Sequence, residues 1–170
     1  MPIGDLGDFI IDALETFQPK YVDVYNEKER DALEAVGYII EVATRGYRPP
    51  SASEKSGLRF VLCTLLTAGR ADLLQAIEER DIKLHKFISV NYTPYVDCAM
   101  ASRQPYGVQY ILYYYEYPEV IQYMQEYLTY KLTSSSVVEA LWPYLNHQKL
   151  KYDLEQINRN EYQQFLYEML

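Results

Sequence analysis

YGVQYILYYYEYPEVIQYMQEYLTYKL, residues 106–132, carries nine of the chain's 19 tyrosines and is divided by Pro118. A proline is tolerated in the first turn of a helix and disfavours helical geometry in the residue before it. The stretch therefore reads as helix, break at Tyr117, helix. At about 100° per residue, Ile121, Met124, Leu128 and Leu132 fall on one aliphatic face of the second helix. Val120, Tyr123, Tyr127 and Tyr130 form a second stripe roughly 120° away. That leaves a narrow wedge of Glu119, Gln122, Gln125, Glu126 and Thr129 for water. A helix apolar on two sides is either central in its own fold or half-buried, with a tyrosine face kept for a partner.

On the N-terminal side, Leu6, Phe9, Ile10, Ala13, Leu14 and Phe17 recur at helical spacing and predict an amphipathic first helix. Residues 21–25 alternate briefly and could be extended, though too short to carry a sheet. Ala32, Leu33, Val36, Ile39, Ile40 and Ala43 predict a second helix behind an Asn26/Glu29 capping box. Pro49 and Pro50 break the chain at 47–51, a linker within one domain of residues 1–170. Ser51 with Glu54 reads as the cap of a helix through Leu58, Val61, Leu62, Leu65 and Leu66, which Gly69 ends; Leu73, Leu74 and Ile77 mark a short successor. Residues 82–92 fit neither helical nor strand period, and Thr93-Pro94 reads as an N-cap and N1 pair.

Beyond the tyrosine stretch, Ser136 and Glu139 suggest a further capping box, with Pro143 forcing a kink. Leu145, Leu150, Leu154 and Ile157 predict one more helix, and Tyr162, Phe165, Leu166 and Met169 a last one. The fold class is all-α: a single domain of about eight to ten short helices, either an irregular helical array or a stack of helical hairpins.

Composition narrows the function. The 170 residues hold 24 acidic against 16 basic side chains, and the net charge of −8 opposes binding to nucleic-acid phosphates. Around the tyrosines, Glu116, Glu119 and Glu126 face only Lys131, which argues against a base-stacking platform. No run is apolar for long enough to span a bilayer, and the N-terminus lacks a basic signal region, so a soluble cytoplasmic protein is expected, in the host cytoplasm if the source is viral. Cys63 and Cys98 suit reduced core thiols better than a disulfide framework.

Catalytic patterns are missing. The histidines are His85 and His147 only, and no local spacing couples either to Cys63 or Cys98 as a nucleophilic dyad. The same four residues are wrongly spaced for zinc, the seven glycines form no phosphate cradle, and carboxylate pairs such as Asp8 with Asp12 read as a solvated helix face. The chain is expected to be a non-enzyme without cofactor, metal or small-molecule substrate.

Thr93-Pro94-Tyr95-Val96-Asp97-Cys98-Ala99 is similar to the opening of an ankyrin repeat, T-P-L-H-x-A-A, and Gly69 stands where such a repeat's inter-helix glycine would lie. Leu73, Leu74, Ile111 and Leu112 can be placed in its second-helix positions. Tyr95, Val96 and Cys98 depart from the pattern, and Ser102 stands where a glycine is expected. The resemblance covers residues 60–115; it implies a protein-binding scaffold and supplies no catalytic residue.

The expected function is protein–protein interaction, with another protein or a second copy, through Tyr113, Tyr114, Tyr117, Tyr123, Tyr127, Tyr130 and Trp142. Two alternatives remain open from sequence. One is an accessory or structural subunit of a larger assembly, viral among the options. The other is an acidic inhibitor that imitates nucleic-acid charge through Asp5, Asp8, Asp12 and Glu15.

Overall fold

The computed structural model describes residues 52–79, 88, 91–115 and 117–170. The helices expected over 6–17 and 32–43, the extended piece at 21–25, the proline break at 47–51 and most of 82–92 lie outside the described residues. Those described form eight α-helices and one 3-10 turn, with no strand among them.

The helices are α1 (Ala52–Thr67), α2 (Ala71–Glu79), α3 (Thr93–Met100), α4 (Tyr106–Tyr114), α5 (Pro118–Tyr130), α6 (Ser135–Leu141), α7 (His147–Glu155) and α8 (Glu161–Met169). The 3-10 turn Trp142–Tyr144 follows α6, where Pro143 cannot continue the helical ladder. Among the described residues, no helix is long and apolar enough to cross a membrane.

The helices sort into two rows. α1 packs on α3, α3 on α5 and α5 on α7, while α2 packs on α4 and α4 on α6. Short turns make hairpins of α1 with α2, α3 with α4 and α7 with α8. Seven side-chain hydrogen bonds among the described residues join positions 31 to 35 apart, so corresponding parts of successive hairpins touch. Cys63 to Pro94 and Thr67 to Cys98 share the offset of 31, which sets α1 and α3 parallel and in register. The core runs along the stack: Leu62, Leu65 and Leu66 of α1, Val96 and Ala99 of α3, Met124 and Leu128 of α5, Leu150 and Leu154 of α7.

Local chemistry sets the turns. Gly69 has φ +73°, its amide donates to Leu66 O at 3.2 Å, and the Arg70 amide donates to Leu65 O at 2.9 Å. That pair of bonds closes α1 in a left-handed C-cap that glycine adopts without steric cost. In the next hairpin the C-cap residue Ala101 keeps ordinary helical angles (φ −77°, ψ −9°). There the Ser102 hydroxyl donates to Thr67 O at 2.8 Å and ties the two turns together.

Several helix ends differ from expectation. α3 begins one residue early, with Tyr92 as N-cap, and the Thr93 hydroxyl donates to Asn91 Oδ1 rather than capping an amide. The Ser136/Glu139 box does not form: α6 starts at Ser135 after Ser134, and the Ser136 hydroxyl donates to Arg103 O at 2.9 Å. A capping box occurs instead at Asn160 and Gln163, opening α8. The break at Tyr117 is as predicted, with extended angles (φ −95°, ψ 144°) before Pro118.

The wedge expected to face water on α5 is partly internal. Gln125 is buried because its Oε1 accepts the Asn146 amide at 2.8 Å, at the start of α7. Thr129 is buried because its carbonyl accepts Gln163 Nε2 of α8. Leu132, placed on the aliphatic face by projection, lies beyond the end of α5 and is exposed.

Candidate functional site

The nine tyrosines divide into three groups by depth. Tyr110 and Tyr115 are buried; Tyr106, Tyr114, Tyr123 and Tyr127 are half-buried; Tyr113, Tyr117 and Tyr130 are exposed. Tyr110 satisfies its hydroxyl by donating to Glu78 Oε1 of α2 at 3.1 Å. Burial, then the Glu78 carboxylate, push its phenol far above the usual range, and burial does the same to Tyr115.

The stripe predicted on α5 does not form one surface. Tyr123 turns toward α3, where its hydroxyl donates to Asp97 Oδ1 at 2.6 Å and its ring meets Tyr92 edge-on at 6.1 Å. The Asp97 bond, then burial, push its phenol up to about 12. Tyr127 is half-buried under the Lys131 ammonium, 5.4 Å from the ring centroid, an arrangement suited to cation–π attraction. Tyr130 alone of the three stands out, 77% exposed.

Two other predicted residues line open clefts on the second row of helices. Tyr113, 78% exposed, forms a wall between α4 and α6 with Leu112, Pro105, Ala140 and Tyr144, around a cleft of about 660 Å³. Tyr114 supports it from inside: its ring lies 4.9 Å from both Tyr110 and Tyr113. Trp142 lines a second cleft of about 720 Å³ between α6 and α8, with Val138, Tyr162, Phe165, Leu166 and Met169. Both volumes fall in the range of ligand-sized pockets. Glu139 and Pro143 belong to both walls, so α6 and its 3-10 turn form a ridge between adjoining clefts.

The ridge is held firmly. The Trp142 ring packs on His147 at 4.6 Å, and His147 Nε2 lies 3.0 Å from Trp142 O. On α8, Phe165 and Met169 are one helical turn apart and 63% and 50% exposed. Both belong to the apolar spacing that predicts the last helix; on that face Leu166 is buried. Periodicity identifies an apolar stripe without saying whether another helix covers it, and here none of the described residues does so fully.

Tyr117 caps α5 and is not among the residues lining either cleft. Of the seven predicted residues, the clefts therefore bring together Tyr113 and Trp142 on either side of one ridge, with Tyr114 behind. Tyr123, Tyr127 and Tyr130 belong to α5. Among the described residues no three of His, Cys, Asp and Glu gather where they could hold a metal ion. No family model matches the chain, and neither a curated protein nor a solved structure matches it.

Proposed function

We propose that the protein is a non-enzymatic interaction module, a stack of ankyrin-like helical hairpins that receives an amphipathic helix of a partner protein in the cleft between α6 and α8. The 31-to-35 spacing of bonds between hairpins supports the ankyrin-like reading, whose repeat is about 33 residues. The carrying observation is the exposed pair Phe165 and Met169 beside Trp142 in an apolar cleft. Large apolar side chains left open to water around a groove are the pattern used to seat the apolar face of a helix.

Charge specifies the partner further. Glu139 lines the cleft, and α8 adds exposed Glu161 and Glu168, so the fitting helix carries Lys or Arg beside its apolar face. Trp142 is the chain's single tryptophan and reports directly on occupancy. Titrating a synthetic helical peptide with Leu or Phe at i, i+3, i+4 and i+7 and lysine flanks is expected to blue-shift Trp142 emission, with affinity falling as salt rises. Phe165→Asp, at an exposed position, is expected to abolish the shift and leave helical content unchanged. An unaltered emission spectrum, or equal binding by a scrambled peptide, would remove the cleft as the docking site.

A further inference from the structure

The hairpin register brings together the two cysteines that lie 35 residues apart in sequence. Cys63 on α1 donates its thiol to Pro94 O on α3 at 3.6 Å. In an α-helix that carbonyl faces the amide four residues on, which here belongs to Cys98. The Cys63 sulfur thus sits beside the Cys98 turn. One turn further on, the Thr67 hydroxyl donates to Cys98 O at 3.2 Å and keeps the same two helices in register. Both cysteines are free and half-buried, within reach of a small solute.

We propose that Cys98 and Cys63 form a peroxide-reactive dithiol, in which Cys98 is oxidised first and Cys63 closes a disulfide that ties α3 to α1.

The roles follow from the surroundings. The pairing with Cys63, then the nearby Thr67, holds the Cys98 thiol below the ordinary cysteine range against the opposition of burial and Asp97. The same pairing, with burial, raises Cys63, which Arg59 only partly offsets. Tyr95 and Tyr127, whose phenols interact with the pair, are raised by burial and stay neutral near pH 7. Cys98 is therefore the more readily ionised thiol of the two, while Cys63 remains protonated near pH 7.

In the first step the Cys98 thiolate attacks one oxygen of hydrogen peroxide, the O–O bond breaks, and the departing hydroxide takes a proton to become water. Cys98 is then a sulfenic acid. In the second, Cys63 loses its proton to solvent and its sulfur attacks Cys98 Sγ; the S–O bond breaks and hydroxide leaves as a second water. Two thiols and one peroxide give one disulfide and two waters, with two electrons passing from sulfur to peroxide.

The test uses the full chain with stoichiometric hydrogen peroxide. Wild-type protein is expected to lose both free thiols while remaining monomeric on a non-reducing gel, and to regain them with dithiothreitol. Peptide mapping is expected to find Cys63 joined to Cys98. Cys63→Ser is expected to stop at a sulfenic acid that dimedone traps on Cys98, whereas Cys98→Ser should keep its Cys63 thiol through the same exposure. Because a serine could loosen the α1–α3 contact, the wild-type alkylation rate of each cysteine is read as well, Cys98 reacting first and at a lower pH than Cys63. Retention of both thiols, cross-linking between chains, or independent oxidation of the two sulfurs would overturn the proposal.

Discussion

Tyr123 is a residue whose environment is set almost wholly by one distant partner. Its hydroxyl donates to the Asp97 carboxylate at 2.6 Å, short as expected when the acceptor is charged. Tyr123→Phe removes the donor and leaves Asp97 able to turn to water, so the expected cost is about 1 kcal/mol in urea unfolding. The pH dependence has a definite sign. The folded phenol is raised to about 12 from an ordinary value near 10, so its contribution is complete below pH 10 and is lost as pH rises through 12. Between pH 10 and 12 the urea midpoint of Tyr123→Phe should fall less steeply than that of the wild type; parallel curves would detach the bond from stability. Helical projection placed Tyr123 at the correct angle on α5. It could not reveal Asp97, which is 26 residues away on a helix whose packing no local spacing encodes.

At the scale of elements, two glycines make opposite demands. Gly107 lies in the first turn of α4, where an added Cβ would stand 2.8 Å from Leu66 O and 3.4 Å from the Ala99 Cβ. Backbone and packed core cannot give way there, so Gly107→Ala should cost several kcal/mol by pushing α4 off α1 and α3, although alanine favours an isolated helix by about 1 kcal/mol. At Gly69 the nearest obstacle is the far end of the flexible Gln104 side chain, 2.6 Å away, and the main penalty is φ +73°. Gly69→Ala should therefore cost only about 1–2 kcal/mol. Thermal or urea unfolding that ranks the two the other way would contradict this account of the α1–α4 contact. Much of this scale was legible in the sequence: prolines fixed the breaks at Tyr117 and Pro143, and apolar spacing located α5, α7 and α8. The cap of α6 was misread because Ser134, Ser135 and Ser136 offer three oxygens in a row, and the distant Arg103 carbonyl takes one of them. The Asn160/Gln163 box has a capping spacing that the sequence itself carries, beside the stronger apolar pattern of α8.

At the scale of the whole molecule, the clefts were the least legible feature, because each depends on the distance between helices that are not consecutive. Trp142 and Phe165 line one cleft although α7 stands between α6 and α8 in the chain. That architecture carries its own prediction. In a stack each hairpin touches its neighbours, so stability is roughly a sum of local terms and nearest-neighbour interfaces rather than one indivisible block. Leu154 of α7 is fully buried, on a helix that packs on α5 and α8. Leu154→Ala should cost about 2–5 kcal/mol, the usual penalty for a core cavity. Amide hydrogen exchange should accelerate most in α7 and α8, less in α5 and least in α1 to α3, with the reverse gradient for Leu65→Ala on α1. Equal acceleration from α1 to α8 in both variants would mean that the described helices unfold as one unit. Nearest-neighbour stacking would then not be what holds them, and the cleft beside Trp142 would open only with the whole fold.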